Sequence, residues 1–436
     1  MELVRHGRRR RHLHLHRLPS AASGSAPAAW RGLCPGAGRP LAGEPARGRL
    51  PAGAAGTAWF GRSVSGRLWI PGGQPLHQAG VLRLKNLGGR GNSLRAGRFE
   101  FIDGTETAPQ DPTLAWLKRE RIAHRLIGNF GFSHVGRSFD GIHASVGPPS
   151  SNLAVMGGFP TRGVFDVRGS DTLEDVKTLY AAGTWSGPRS DLRLFGIWYE
   201  DSRNAVVKAD NRPAAARAAD RAPVRVTTLG GHYLRQFPSA AGTGDLLLWA
   251  AGQFGSWGGL DHEAIAFAAE AGWQPKGLPW KPWFRGGYFH GSGDGDPADG
   301  KHETFFPVLP TPRIYARFPF YTNANLNDAF GQILLRPEPR VTVRADVHRL
   351  WLANRGDAWY AGGGAFQPAP SFGYAGRPSG GSDDLGTLLD LSVDYQWRPS
   401  TTLSFYLAQA FGGRVVRNIY GGRDASLAYV EVLHRW

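Results

Sequence analysis

The stretch LLDLSVDYQWRPSTTLSFYLAQAF, residues 388–411, predicts two antiparallel strands joined by one short turn. Apolar side chains recur at every second position on both sides of Pro399 and Ser400, which is the period of a strand with one apolar and one polar face. The apolar set is Leu389, Leu391, Val393, Tyr395 and Trp397 in the first strand, and Leu403, Phe405, Leu407 and Phe411 in the second.

The size of these side chains favours a membrane barrel over a soluble β-sandwich, which also alternates. The apolar residues are large, aromatic residues lie near strand ends, one turn is very short, and the loops at the other end are long and polar. Together these features are typical of a barrel with a lipid-facing band between aromatic girdles. We therefore expect an all-β fold, an antiparallel transmembrane β-barrel of the porin type in the bacterial outer membrane.

The last strand carries a candidate assembly signal. It places Val430 and Val432 at alternate positions before the terminal Trp436. This ending resembles the signal that the outer-membrane assembly machinery reads, so we expect that machinery to be a partner.

Composition agrees with a barrel and excludes a helical membrane protein. The chain has 436 residues and a mean hydropathy of −0.32, which is compatible with strands that show one face to a water-filled lumen. No apolar run approaches the roughly 20 residues that a membrane helix needs.

Residues 1–80 differ from the rest of the chain. They contain 12 arginines, no lysine or aspartate, and only Glu2 and Glu44 as acids, whereas residues 81–436 hold 39 basic and 33 acidic residues. Such an Arg-, Gly-, Ala- and Pro-rich composition buries too little apolar surface to offset chain entropy. We expect a disordered segment, or a mistranslated or frame-shifted start that replaces the signal peptide and the first strands. The mildly basic body lacks a nucleic-acid footprint, so no nucleic-acid partner is predicted.

Residues 81–436 are predicted to form one barrel domain with about fifteen visible strands. In the strand at 263–273 a face with Ile265, Phe267 and Trp273 opposes a face of small or polar residues. Three strands end at equally spaced prolines, Pro275, Pro337 and Pro399. Long extracellular loops are predicted at residues 291–325 and 354–384. Residues 114–122 are expected to form a short helix or a constricting loop inside the lumen.

Several segments resemble the alginate export family of outer-membrane barrels. The segments are 94–101, the motif 137–141, and residues 325–328 leading through 344–348 to 351–353. The resemblance covers roughly residues 81–436. It implies an eighteen-stranded monomeric barrel, three strands more than are visible here, with an arginine-lined lumen that passes an anionic uronate polymer.

The candidate lumen residues are charged side chains on or beside strands. An arginine that faces lipid at mid-depth costs about 2–4 kcal/mol, which favours the lumen. We interpret these residues either as a selectivity device or as ordinary wall electrostatics. The arginines are Arg98, Arg137, Arg285 and Arg344, and the carboxylates that balance them are Asp346, Asp390 and Asp394.

A local structural role, instead of a role in the lumen, is the simpler interpretation of one motif. In this interpretation a turn glycine lies beside an aspartate that accepts local hydrogen bonds. The motif consists of Arg137, Ser138, Phe139, Asp140 and Gly141.

No metal site and no cofactor are predicted, because the strand histidines lack ligand spacing on one face. No nucleophile motif is present, so the protein is not predicted to be an enzyme.

The leading functional hypothesis is an anion-selective outer-membrane channel that exports or conducts an alginate-like polyuronate. The alternatives are a general or nutrient-uptake porin, and a non-conducting barrel that organises a surface polysaccharide machine. Outer-membrane lipid and lipopolysaccharide are expected partners in each case.

Overall fold

The wall of the molecule is one curved antiparallel sheet. The structure, a computed structural model, describes residues 80–435 except 88, 90, 134, 164–170, 313–315, 319 and 367–370, and also the backbone of Arg10–Leu13, Arg67–Trp69 and Pro75–His77. The sheet has 17 strands. Two of them are short, β1 (Arg10–Leu13) and β14 (Lys301–His302), and the other fifteen are β4 (Val81–Lys85), β5 (Ser93–Phe99), β6 (Phe139–Val146), β7 (Ser151–Pro160), β8 (Val176–Gly187), β9 (Ser190–Asp201), β10 (Val224–Pro238), β11 (Gly242–Trp257), β12 (Leu260–Pro275), β13 (Trp283–Gly291), β15 (Leu326–Glu338), β16 (Val341–Trp351), β19 (Asp384–Arg398), β20 (Thr401–Gly412) and β21 (Asp424–Arg435).

Two small hairpin sheets and four short helical pieces complete the described elements. The paired strands are β2 (Arg67–Trp69) with β3 (Pro75–His77), and β17 (Ala358–Gly362) with β18 (Tyr374–Pro378). The helices are α1 (Pro112–Leu117), a π-helical turn (Lys118–Ile122), α2 (Ala214–Ala219) and α3 (Arg414–Ile419). Within the described part of the chain, no helix is both long and apolar enough to cross a membrane.

The two faces of the sheet confirm the predicted alternation. In β12 every second residue from Glu263 to Trp273 is exposed, and the residues between them are buried or partly buried. Leu389 and Leu391 of β19 point outward, and Asp390 and Ser392 point inward. The outward face is therefore a band of large apolar side chains, as a lipid-facing wall requires.

The two ends of the barrel differ in the length of their connections. At one end the turns are short, such as residues 188–189, 339–340 and 399–400. At the other end, here called the long-loop end, the strands are joined by residues 100–138, 161–175, 202–223, 258–259, 292–325, 352–383 and 413–423. Outer-membrane barrels carry long loops on the extracellular side, which orients the molecule.

The direction of the edge strands matters for closure of the wall. Neighbouring strands from β4 to β21 alternate in direction, so an odd set of fifteen leaves β4 and β21 running the same way. The backbone of β1 lies antiparallel to β21, with Arg10 opposite Arg435 and Leu13 opposite Val432. The remaining residues of 1–79, apart from β2 and β3, lie outside the described residues. The prediction that residues 1–80 stand apart from the barrel therefore stays a prediction.

The C-terminal strand has the expected pattern where it is described. Ala428 and Val430 are exposed on the outward face of β21, and Val432 is partly buried. Trp436 lies outside the described residues, so the assembly signal also stays a prediction.

Candidate functional site

A segment of residues 100–138, here called the inner segment, runs through the lumen. Asp111 begins α1 by accepting a hydrogen bond from the Leu114 N–H at 2.9 Å, and Pro112 fits the first helical position. The Trp116 ring lies 4.6 Å from the ring of Trp283, an inward residue of β13. The predicted short helix inside the lumen is therefore present.

Glu270 joins the inner segment to the wall. This inward carboxylate of β12 is only 2% exposed and accepts hydrogen bonds from Arg121 at 2.9 Å and from Arg285 at 3.0 Å. Arg285, a predicted lumen residue, also donates to Asp245 of β11. Charge-assisted bonds of this kind are stronger than neutral ones, so the cluster fixes the inner segment against three strands.

A second set of charges fixes the other side of the inner segment. Lys118 lies 3.0 Å from Asp191 of β9, and the same carboxylate contacts His232 of β10 at 2.7 Å. Arg193 of β9 contacts Glu106 of the inner segment at 3.2 Å. All of these side chains are at most 3% exposed.

A third cluster contains the predicted carboxylates and lies nearer the short-turn end. Arg344 contacts Asp346 at 2.5 Å, and the two residues share the inward face of β16. Asp390 accepts hydrogen bonds from the Tyr406 hydroxyl at 2.8 Å and the Arg317 backbone N–H at 3.2 Å. The Arg317 guanidinium contacts Asp394 at 3.2 Å. Arg317 belongs to residues 292–325, so this predicted extracellular loop also enters the lumen.

Arg137 connects three chain segments instead of lining an open pore. Its buried guanidinium donates to the carbonyl oxygens of Gly128 at 3.0 Å, Gly363 at 2.9 Å and Gly364 at 2.6 Å, and also to that of Leu309. Phe139 of the same motif is fully buried in the core. A Cβ at Gly141 would lie 2.1 Å from the Gly157 carbonyl oxygen, so Gly141 permits close strand pairing. The motif therefore has a structural role at this site.

The prediction that Arg98 faces the lumen is wrong. It pairs in register with Asp140 on the outward face at the long-loop end, and the two side chains contact each other at 2.5 Å. The cost of an outward arginine falls to about 0–1 kcal/mol near the membrane interface, which makes this position tolerable. The inward arginines of this region are Arg83 and Arg95, which lie opposite each other in register.

The candidate arginines lie close to carboxylates. Arg98, Arg285 and Arg344 each contact at least one carboxylate. The partners of Arg285 lie in strands that precede it, and Arg121 and Glu270 are 149 positions apart in sequence. Sequence spacing gave no signal for such pairs. Arg121, Arg193, Glu270 and Arg317 were missed for this reason.

Open space remains beside the inner segment. A narrow crevice of about 20 Å³ lies between Arg125 and residues of the loop 292–325. Its lining combines apolar rings with polar groups, among them Pro307, Phe318, Tyr321, Thr322 and Asn323. The crevice is therefore of the size of a water molecule and not of a sugar ring.

The aspartates at the start of the loop 292–325 mostly stabilise local turns. Asp296 accepts from the Ala298 N–H at 2.9 Å, and Asp299 accepts from the Lys301 N–H at 2.8 Å. Asp294 is fully buried, and burial raises its pKa to about 6, with the Asp357 carboxylate adding to the rise. Across the described residues, no three or more His, Cys, Asp or Glu side chains are grouped to hold a metal ion.

The raised pKa of Asp294 predicts that this loop is less stable at neutral than at mildly acidic pH. An acid whose pKa is higher in the folded state binds its proton more tightly there. The penalty is absent below the unfolded value near pH 4 and grows as pH rises. It is complete above the folded value near pH 6. Amide exchange across residues 292–300, corrected for intrinsic rates, should be slower at pH 5 than at pH 7.5.

The matched variants are Asp294→Asn and Asp296→Asn. The first should remove the pH dependence of exchange and the second should keep it, because Asp296 is exposed. An unchanged pH dependence in Asp294→Asn would assign the effect to another group.

Comparisons with known proteins found one matching family and several similar structures. The sequence profile of the family described as "Alginate export" matches residues 77–428. Solved structures that resemble the chain include OccK3 (OpdO) of Pseudomonas aeruginosa, with 11% identity, coverage of 82% of this chain and 78% of that chain, and a TM-score of 0.48. They also include OccAB2 of Acinetobacter baumannii, with 10% identity, coverage of 79% and 74%, and a TM-score of 0.48. The search of curated proteins found no match. Because the profile covers most of the chain, the protein belongs to the alginate export family of bacterial outer-membrane β-barrels.

Proposed function

We propose that this protein is an outer-membrane channel that exports or conducts an anionic polysaccharide of the alginate type. The observation that carries the proposal is the series of arginines inside the barrel, Arg193, Arg121, Arg285 and Arg344, each held by a protein carboxylate. Guanidinium groups bind carboxylates with matching planar geometry. A uronate polymer carries the same chemical group as the side chains that these arginines already hold.

This arrangement suggests passage by exchange of carboxylates. A buried guanidinium without a partner is costly, so a protein carboxylate keeps each arginine compensated in the resting state. A passing uronate replaces that carboxylate, and the protein group returns when the polymer moves on.

The close balance of charges also favours a second candidate, a general or nutrient-uptake porin. Paired arginines and carboxylates leave a weaker net field than unpaired arginines would. A porin of this kind needs no preference for uronates.

Current recording on refolded protein tests the proposal. Polyuronate oligomers should block the current at low salt, and neutral oligosaccharides of similar length should not. The preference for anions should weaken as salt rises, because fixed charges act within about 8 Å at physiological ionic strength. Block by both kinds of sugar to the same extent would favour the porin.

A matched pair of variants locates the charge. Arg344→Glu should reduce the preference for anions and the block by polyuronate, because Arg344 faces the lumen beside Asp346. Arg349→Glu makes the same charge change on the outward face, where Arg349 contacts Asp384 at 2.7 Å, and should alter neither. Equal effects of the two variants would contradict a lumen-based mechanism.

A further inference from the structure

The outward face of the strands from β6 to β10 carries a groove that the channel function does not use. The groove has a volume of about 480 Å³ and is lined by outward residues such as Leu179, Ala181, Gly196 and Trp198. Strand register places these residues in rows, with Leu179 and Thr227 opposite Trp198, and Ala181 and Leu229 opposite Gly196. We call this surface the outer groove.

Small residues form the floor of the outer groove. Gly157 and Gly196 have no side chain, whereas their neighbours Ile142, Val155 and Leu179 protrude and are 58%, 46% and 53% exposed. A Cβ at Gly196 would meet only the Leu229 Cδ2 within 4 Å, at 3.3 Å. The backbone at Gly196 therefore tolerates a side chain, and the depression is a property of the sequence that substitution can fill.

One row of charged residues lies above the outer groove at the long-loop end. Lys177, Glu200 and Arg225 are neighbours in register on the three strands, two positions beyond the row of Leu179, Trp198 and Thr227. Glu200 contacts Lys177 at 3.1 Å and Arg225 at 2.8 Å. One carboxylate thus faces two cations, whose side chains are 47% and 56% exposed while that of Glu200 is 11% exposed.

The position and charge of this row indicate which kind of ligand it binds. An exposed pair of cations with a surplus positive charge attracts a phosphate, and an ammonium and a guanidinium both keep several N–H donors available in such a contact. The row lies at the extracellular end of the apolar band, which is the headgroup level of the outer leaflet. Directly beneath it, the outer groove offers an apolar surface at the depth of acyl chains.

We propose that Lys177, Arg225 and the outer groove bind a phosphorylated, multiply acylated glycolipid of the lipid A type. The phosphate contacts Lys177 and Arg225, and one acyl chain lies across Gly157, Ala181 and Gly196. This binding site is on the outside of the wall and does not depend on what passes through the lumen.

Native mass spectrometry of the detergent-purified full chain with added lipid A tests this site. The wild-type protein should retain one lipid A molecule, and Lys177→Ala with Arg225→Ala should weaken retention at least tenfold. Gly196→Val should also weaken retention, because it fills the floor with a residue that strands accommodate well. Heat-modifiable gel mobility should show that all variants are folded barrels.

Three comparisons make the outcome decisive. Dephosphorylated lipid A and phosphatidylglycerol should bind at least tenfold more weakly than lipid A. Arg349→Ala, which removes an exposed cation at the same end of the barrel, should retain lipid A as the wild type does. Equal retention by the double variant, or equal binding of phosphatidylglycerol, would overturn the proposal. An equal loss in Arg349→Ala would assign the binding to general surface charge.

Discussion

Replacing Glu270 with glutamine should release the inner segment from the wall and raise the single-channel conductance. The substitution removes the charge that compensates Arg121 and Arg285, both fully buried in the lumen. Removing one partner of a buried ion pair costs about 3–5 kcal/mol. Because fifteen paired strands hold the wall independently, the inner segment should move while the barrel persists. Current recording and protease cleavage within residues 100–138 measure the two effects.

Glu263→Gln is the matched control for this experiment. Glu263 lies on the same strand, β12, but on the exposed outward face. It should leave conductance and cleavage unchanged. A Glu270→Gln protein with wild-type conductance and protease resistance would show that the remaining ionic clusters suffice to hold the inner segment.

Arg137→Lys should loosen the loops above the lumen although the charge is retained. A lysine ammonium has three donors on one nitrogen and does not span the carbonyl oxygens of Gly128, Leu309 and Gly363 together. Each buried carbonyl that loses its donor costs about 1–3 kcal/mol. Amide exchange should therefore accelerate at least tenfold around residues 128–138, 309 and 363–364 together.

Arg98→Lys provides the comparison for Arg137→Lys. Arg98 is partly exposed at the rim and contacts the single carboxylate of Asp140, which a lysine also pairs with. Its effect on exchange should be small. Acceleration at only one of the three segments in Arg137→Lys would contradict the role of Arg137 as a shared connection.

The wall was predictable from sequence because strand alternation is a local property. Ile265 and Phe267 of β12 and Leu389 and Leu391 of β19 face outward as their spacing indicated. The interior was predictable only in outline. The short helix near Leu114 was expected, but its contacts depend on which strands face each other across the lumen.

The errors have a common physical origin. A period of two tells which residues share a face, but a strand end near the interface tolerates charge on either face, as Arg98 shows. Ion pairs such as Arg121 with Glu270 were also missed, because the two residues meet only after the sheet has curved. Arg137 was expected to line the lumen, yet its partners are backbone carbonyls, which no side-chain pattern reveals.

The parallel direction of β4 and β21 has a consequence for how the chain enters the membrane. An antiparallel wall closes between these two edges only through an odd number of further strands, and bacterial single-chain barrels have even strand numbers. A strand that paired with the free edge of β4 would then run from the short-turn end to the long-loop end. Such a strand would begin on the periplasmic side, and β21 also leads toward that side. Peptide tags placed before the first wall strand and after residue 436 should both be protected from protease added to intact cells.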